Sequence, residues 1–262
     1  MEFEPREGGD IDSWEEVLLV YNSALKEINT KLEILNDEFQ NVHKYNPIEH
    51  IKARIKSPES IVKKLKKYGY ESTIYNMVKY VNDIAGIRVI CSFTSDIYQI
   101  AEMIAKQYDI KILSIKDYIE NPKPSGYKSF HMLVTVPIFL SDRMIDAKVE
   151  IQIRTVAMDF WASLEHKMNY KFEGRAPQSI KDELIECAKM VSDLDDRMLS
   201  LNEEINRFAS TQEGMAEITE DRPKSDGKSC TLAPHGGATP ERRAANLYVI
   251  KSKLALKCRL RR

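Results

Sequence analysis

Two short stretches set polar side chains at a spacing that could do chemistry. Residues 126–131 read GYKSFH, and residues 149–155 read VEIQIRT. The first places an aromatic ring, a cation, a hydroxyl and an imidazole on one turn-to-strand segment. Across the second, Val149, Ile151 and Ile153 fall on one face of a strand, while Lys148, Glu150, Gln152 and Arg154 fall on the other. An exposed amphipathic strand alternates in the same way, but two further stretches repeat the arrangement. In GIRVICSF (86–93) Arg88 lies opposite Ile87, Val89 and Cys91, and in SFHMLVTV (129–136) His131 lies opposite Phe130, Met132 and Val134. In one sheet these strands bring Arg88, His131 and Glu150 to a common polar face, with Asp83 near its entrance. Such a face suits a charged, flat-ringed ligand such as a nucleotide. Asp83 and Glu150 side by side would suit Mg²⁺, which takes oxygen ligands and keeps substrate phosphates. A salt bridge from Asp83 to a lysine is the competing role.

A basic segment lies upstream. KARIKSPESIVKKLKK (52–67) supplies Arg54, Lys56, Ser60, Lys63, Lys64, Lys66 and Lys67. Ser57 and Pro58 suit the cap and first position of a helix, so Ser60, Lys63, Lys64 and Lys67 share one face. A solvated charged face is one reading of this run. A polyphosphate grip beside a helix start is the other.

These groups need a scaffold. Apolar residues at Trp14, Leu18, Tyr21, Leu25, Ile28, Leu32, Leu35 and Phe39 predict a long helix over about 14–42. A second seam from Ile180 to Phe208 predicts another over 178–210, after Pro177 and Ser179. Either seam packs on the body or forms a subunit interface. Between them the pattern predicts helices at 57–68, 72–81 and 95–107, the last capped by Ser95. It predicts strands at 86–93, 110–115, 129–136 and 147–154. Thr155 then caps a helix carrying MDFWASLEHKMNYKF. The fold class is therefore α/β (α+β), a mixed β-sheet flanked by helices.

Composition narrows the class. At 262 residues with 43% hydrophobic and 30% charged side chains, the chain reads as a globular protein able to bury a sizeable core. It shows no membrane-length apolar run and no signal-peptide layout in MEFEPREGGD, so the cytoplasm is expected. Cys91, Cys187, Cys230 and Cys258 lack metal or disulfide spacing. Net charge is −1, but residues 221–262 hold eleven Lys/Arg against three Asp/Glu, leaving the body at −9. Residues 1–13 read as a flexible N-terminus, 14–210 as one domain and 211–262 as a disordered basic tail. No P-loop and no GxGxxG motif occurs, which argues against those phosphate cradles.

Together DIAGIRVI (83–90), KDYIENPKPSGYKSFH (116–131) and VEIQIRT resemble the synthetase domain of the RelA/SpoT family, which makes the alarmones ppGpp and pppGpp. The likeness spans roughly residues 15–205. NPIEHIKARIKSPESIVKKL and AMDFWASLEHKMNYK look like the small single-domain synthetases, RelP-like rather than RelQ-like. The resemblance implies a nucleotidyltransferase-like synthetase fold and a Mg²⁺-dependent transfer of the β,γ-pyrophosphate of ATP to the 3′-hydroxyl of GDP or GTP. It implies that Arg54 and Arg88 sandwich adenine and that Lys56, Ser60, Lys64 and Lys67 grip the ATP phosphates. Asp83 corresponds to a Mg²⁺ ligand, and Glu150 to a residue that assists the metal and acts as general base. Tyr127 corresponds to the ring that stacks on guanine. Lys116, Lys123 and His131 match the acceptor-phosphate side, with Gln152 near guanine or ribose. Lys116 and Lys128 stand where relatives often have Arg, and Asp159 where RelQ-like relatives have Asn. The chain has no HD dipeptide, so synthesis without hydrolysis is expected. A homotetramer built through the terminal helices is also implied. Nothing in the pattern indicates RNA binding. A catalytically weak nucleotide sensor or RNA-binding module on the same fold is the alternative, which intact Asp83 and Glu150 disfavour.

Overall fold

The computed structural model describes residues 13–171 and 176–219. Eleven elements follow in chain order: α1 (Trp14–Val42), β1 (Ile48–Ile55), α2 (Pro58–Lys67), α3 (Ile74–Tyr80), β2 (Ala85–Cys91), α4 (Thr94–Lys106), β3 (Lys111–Asp117), β4 (Phe130–Phe139), β5 (Met144–Thr155), α5 (Val156–Lys171) and α6 (Gln178–Thr219). The strands form one sheet in the order β1-β2-β5-β4-β3. The central pair β2 and β5 is parallel, and the other pairs are antiparallel. The fold is α+β, as the pattern predicts.

Local chemistry sets most of the boundaries. The Ser13 hydroxyl accepts from Glu16 N–H and starts α1. Ser57 and Pro58 start α2 as expected, with the Ser57 side chain accepting from Ser60 N–H. Thr155 Oγ1 accepts from Met158 N–H at 3.1 Å and starts α5. The predicted cap at Ser95 is replaced by a bond one residue on. The Asp96 carboxylate accepts from Phe93 N–H at 3.0 Å and from the Tyr45 hydroxyl at 2.6 Å, so α4 starts at Thr94. A carboxylate with two donors outcompetes a lone hydroxyl.

The apolar face carries the core. Val149, Ile151 and Ile153 are fully buried and join Ile87, Val89, Met132 and Val134 in one cluster with α1 and α4. Each such side chain contributes roughly 1.5–3 kcal/mol, so the alternation locks the strand register. The α1 seam belongs to this core: Tyr21, Leu25, Ile28, Leu32 and Phe39 are all buried. The α6 seam behaves differently. Leu194, Met198, Leu201, Ile205 and Phe208 stay 50–65% exposed. Its helix also continues past the predicted end at 210, to Thr219. Residues 1–12 and 220–262, and with them most of the expected flexible ends, lie outside the described residues. None of the described helices is long and apolar enough to cross a membrane.

Candidate functional site

The sheet register builds the site before any side chain is considered. Residues paired across neighbouring strands project to the same face. One row across the sheet reads Lys52, Arg88, Gln152, His131 and Lys116. The adjacent row reads Arg54, Gly86, Glu150, Leu133 and Ser114. Strand β1, absent from the predicted strands, puts Arg54 in this second row. Gly86 sits between Arg54 and Glu150, where an added Cβ would approach nothing closer than the Arg54 carbonyl at 4.0 Å. The floor beside Glu150 is therefore open.

Over these rows lies a polar cleft of about 500 Å³. Lys64, Asp83, Lys116, Lys123, Tyr127, His131, Glu150 and Gln152, all singled out from the sequence, line it. Tyr118, Ser125 and Glu165 line it as well and were given no role. Tyr118 and Ser125 lie within the KDYIENPKPSGYKSFH motif, whereas Glu165 arrives from α5, where helical spacing gives no hint that it faces a strand site.

Asp83 is held by two ammonium groups: Lys56 at 2.9 Å and Lys64 at 2.8 Å. Burial raises its carboxyl, and the hydrogen bonds from Lys64 and Lys56 more than reverse this, so it lies below the usual carboxylate range. Of the two roles expected for Asp83, the salt bridge is the one these contacts show. Lys56 reaches Asp83 although it is not among the cleft-lining residues. Ser60 hydrogen-bonds Ser57 at the helix start, and Lys67 and Arg54 are exposed. Arg88 pairs with Asp159 at 3.0 Å. Burial and the nearby Arg154 push its guanidinium down, Asp159 opposes them, and Arg54 adds to the repulsion. Arg54, Arg88 and Arg154 are therefore near enough to repel one another, and a flat, electron-rich or anionic guest beside Arg54 and Arg88 would relieve this.

On β5, Glu150 receives Gln152 Nε2 at 2.8 Å and faces His131 Nδ1 at 3.4 Å. Burial raises the carboxyl, while His131 and Gln152 outweigh it and hold it below its ordinary value. Glu150 is thus an ionised base at neutral pH. Lys123 lies over the faces of Tyr127 (4.4 Å) and Tyr118 (4.7 Å). Burial lowers its ammonium, Lys116 and Arg154 add to this, and Glu150 opposes them.

Two hard carboxylates, Asp83 and Glu150, line the same cleft, and the charge of Asp83 is felt at Glu150. No group of three or more His, Cys, Asp or Glu side chains suited to a metal occurs among the described residues. Mg²⁺ needs no such cage, because it is commonly held by one or two carboxylates plus substrate phosphates. The donor set therefore fits Mg²⁺ arriving with a nucleotide.

Comparison with known proteins follows the geometry. The family model for the region found in RelA / SpoT proteins matches residues 53–175. GTP pyrophosphokinase YwaC of Bacillus subtilis is 46% identical over 196 residues, covering 75% of this chain and 93% of that protein. The chain belongs to the RelA/SpoT family. Its structural relatives are small alarmone synthetases. Synthetase 1 of Bacillus subtilis bound to its product pppGpp superposes with TM-score 0.70 at 34% identity, covering 74% of this chain and 98% of that one. The same synthetase bound to AMPCPP gives TM-score 0.65 at 31% identity, covering 74% and 98%.

Two family positions noted from sequence take definite places in this synthetase fold. Lys128 does not line the cleft: its ammonium donates to Ser192 Oγ on α6 at 2.5 Å. Asp159 Oδ1 sits 3.0 Å from both Arg88 and Arg154 and joins the two guanidinium groups. The turn carrying Tyr127 also leans on α6. Gly126 has φ +86°, and an added Cβ would lie 2.5 Å from the Ala188 Cβ. Gly126→Ala is expected to cost about 1–3 kcal/mol of stability and raise the acceptor KM roughly tenfold. Thermal melts and initial-rate kinetics check it. Gly69→Ala is the control: it has φ +78° but nothing within 4 Å of the new Cβ.

Proposed function

We propose that this protein is a GTP/GDP pyrophosphokinase, transferring the β,γ-pyrophosphate of ATP to the 3′-hydroxyl of GDP or GTP and releasing AMP. The observation that carries this reading is the single cleft in which an ionised Glu150, a second carboxylate at Asp83 and converging cations share one sheet face. The relative YwaC bears the name of that activity.

The residues divide the work. Arg54 and Arg88 stack on adenine, and Lys56, Ser60, Lys64 and Lys67 hold the ATP phosphates. Tyr127 stacks on guanine, with Gln152 beside it, while Lys116 and Lys123 meet the acceptor's 5′-phosphates. His131 lies on that acceptor side. Glu150 takes the proton from the 3′-hydroxyl. The freed oxygen attacks the β-phosphorus of ATP, the bond from that phosphorus to the α-phosphate bridging oxygen breaks, and its electrons leave on AMP. A Mg²⁺ held by Asp83 and Glu150 would neutralise charge building on the phosphates. The protein's own contribution is alignment and fixed positive charge, which suits a reaction needing little covalent help.

The chain acts as one synthetase domain over 14–210, in the cytoplasm. It assembles as a homotetramer, and the surface for this is α6. The α1 seam is already covered by the sheet, whereas Leu194, Met198, Leu201, Ile205 and Phe208 form an exposed stripe at heptad-like spacing. Light scattering after gel filtration should give four times the 30.2 kDa chain mass. Leu201→Glu should lower that mass, and a wild-type monomer would contradict this assembly.

The reaction is tested by its acceptor. AMP release from ATP should require GDP or GTP and stop with 3′-deoxy-GDP. AMP formed equally without a 3′-hydroxyl would contradict the proposal.

A further inference from the structure

One buried cation reaches Glu150 through two separate hydrogen-bonded arms. Arg154 is only 4% exposed. Its Nε donates to Ser129 Oγ (3.3 Å), and its NH1 to Asp159 Oδ1 (3.0 Å). The remaining NH2 group donates in two directions, to Tyr127 Oη at 2.5 Å and to Gln152 Oε1 at 2.9 Å.

Each direction fixes a downstream donor. A guanidinium has donors only. With Gln152 Oε1 turned to Arg154, the amide nitrogen must face Glu150, where it donates to Oε2 at 2.8 Å. The Tyr127 oxygen accepts from Arg154 and keeps its own proton to donate, and its other partner is His131 Nε2 at 2.8 Å. An imidazole that accepts at Nε2 carries its proton on Nδ1, the nitrogen facing Glu150 Oε1 at 3.4 Å. In that arrangement both arms end as an N–H directed at a different oxygen of the same carboxylate.

We infer that Arg154 is a positioning residue for Glu150, acting through Gln152 and through a Tyr127–His131 pair whose imidazole is held as the Nδ1–H tautomer. This rests on the reading of Glu150 as the base that accepts the 3′-hydroxyl proton. It gives Tyr127 a second task, carried by its hydroxyl and independent of its ring face. It also gives His131 a task at the base beyond any contact with acceptor phosphate. The base is oriented by a third group, the logic of activated nucleophiles in general. A carboxylate with both oxygens tied keeps its remaining lone pairs in fixed directions, and small misplacement of such a group lowers turnover steeply.

Tyr127→Phe separates the two tasks, since it keeps the stacking ring and removes only the hydroxyl. With GDP and ATP as substrates, kcat should fall about tenfold while the KM for GDP stays within about twofold. His131→Asn retains an N–H near the Nδ1 position and should keep several-fold more kcat than His131→Ala. Nitrogen-15 spectra of the ligand-free protein, with the His131 signals assigned by their loss in His131→Asn, should show the Nδ1–H tautomer in wild type and its loss in Tyr127→Phe. An Nε2–H tautomer in wild type, a Tyr127→Phe kcat within twofold of wild type, or equal rates for His131→Asn and His131→Ala would each overturn the inference. Wild-type protein that makes no product would instead overturn the reading of the function, whatever the tautomer.

Discussion

Glu150→Gln should lower kcat by about 10²- to 10⁴-fold, the range for loss of a positioned general base. That corresponds to roughly 3–5 kcal/mol of barrier. The substitution keeps volume but turns one acceptor oxygen into a donor, so only one of Gln152 Nε2 and His131 Nδ1 keeps its partner. The row of Arg88, Gln152, His131 and Lys116 is untouched, so the nucleotide contacts survive. Dissociation constants for GDP and for a non-hydrolysable ATP analogue should therefore stay within about threefold of wild type, and calorimetry can measure both. A variant that turns over at near wild-type rate would remove Glu150 from the role of base.

Asp83→Asn should be nearly as severe, for a different reason. Asp83 neutralises Lys56 and Lys64, and its side chain is 22% exposed. An amide leaves both ammonium groups without a counter-charge in a half-buried position. The cost to stability is about 2 kcal/mol, discounted from a fully buried pair because all three groups keep some solvent. In catalysis the loss is larger, since one of two carboxylates suited to Mg²⁺ disappears. Activity should fall at least about 100-fold, and the Mg²⁺ concentration for half-maximal rate should rise. Because the Asp83 carboxyl is held low, its contribution to stability is present above the unfolded carboxylate range near pH 4. It is lost as the pH falls through the lowered folded value. Wild type and Asp83→Asn should therefore converge in stability in strong acid. Denaturant melts at pH 7 and below pH 3 measure this.

Much of this site is legible in the sequence because strands obey a period of two. Placing Arg88, His131 and Glu150 opposite apolar neighbours was enough to predict a shared face, and the register puts them in adjoining rows. Strand β1 was not legible. Ile48, Ile51 and Ile55 are spaced three and four apart, which mimics a helix, and most of its other side chains are exposed at the sheet edge. Arg54 consequently had a role by resemblance but no position. The α1 and α6 seams look alike as strings, and only packing separates them: one lies in the core and the other stays open. The wiring through Arg154 was also hidden. A polar residue on a polar face gives no sign that it is 4% exposed, or that it donates to four side chains. The need for glycine at 126 depends on Ala188, more than sixty residues away, and no local pattern contains it.

The central claim is that pyrophosphate moves within this one cleft from ATP to a guanosine nucleotide. The most direct measurement follows the label from [γ-³²P]ATP in the presence of Mg²⁺ and either GDP or GTP, with products separated by chromatography. Label should appear in ppGpp or pppGpp, matched by an equal amount of unlabelled AMP, and should vanish when the acceptor is omitted. Label recovered only as free phosphate or pyrophosphate, or ADP formed in place of AMP, would contradict the account.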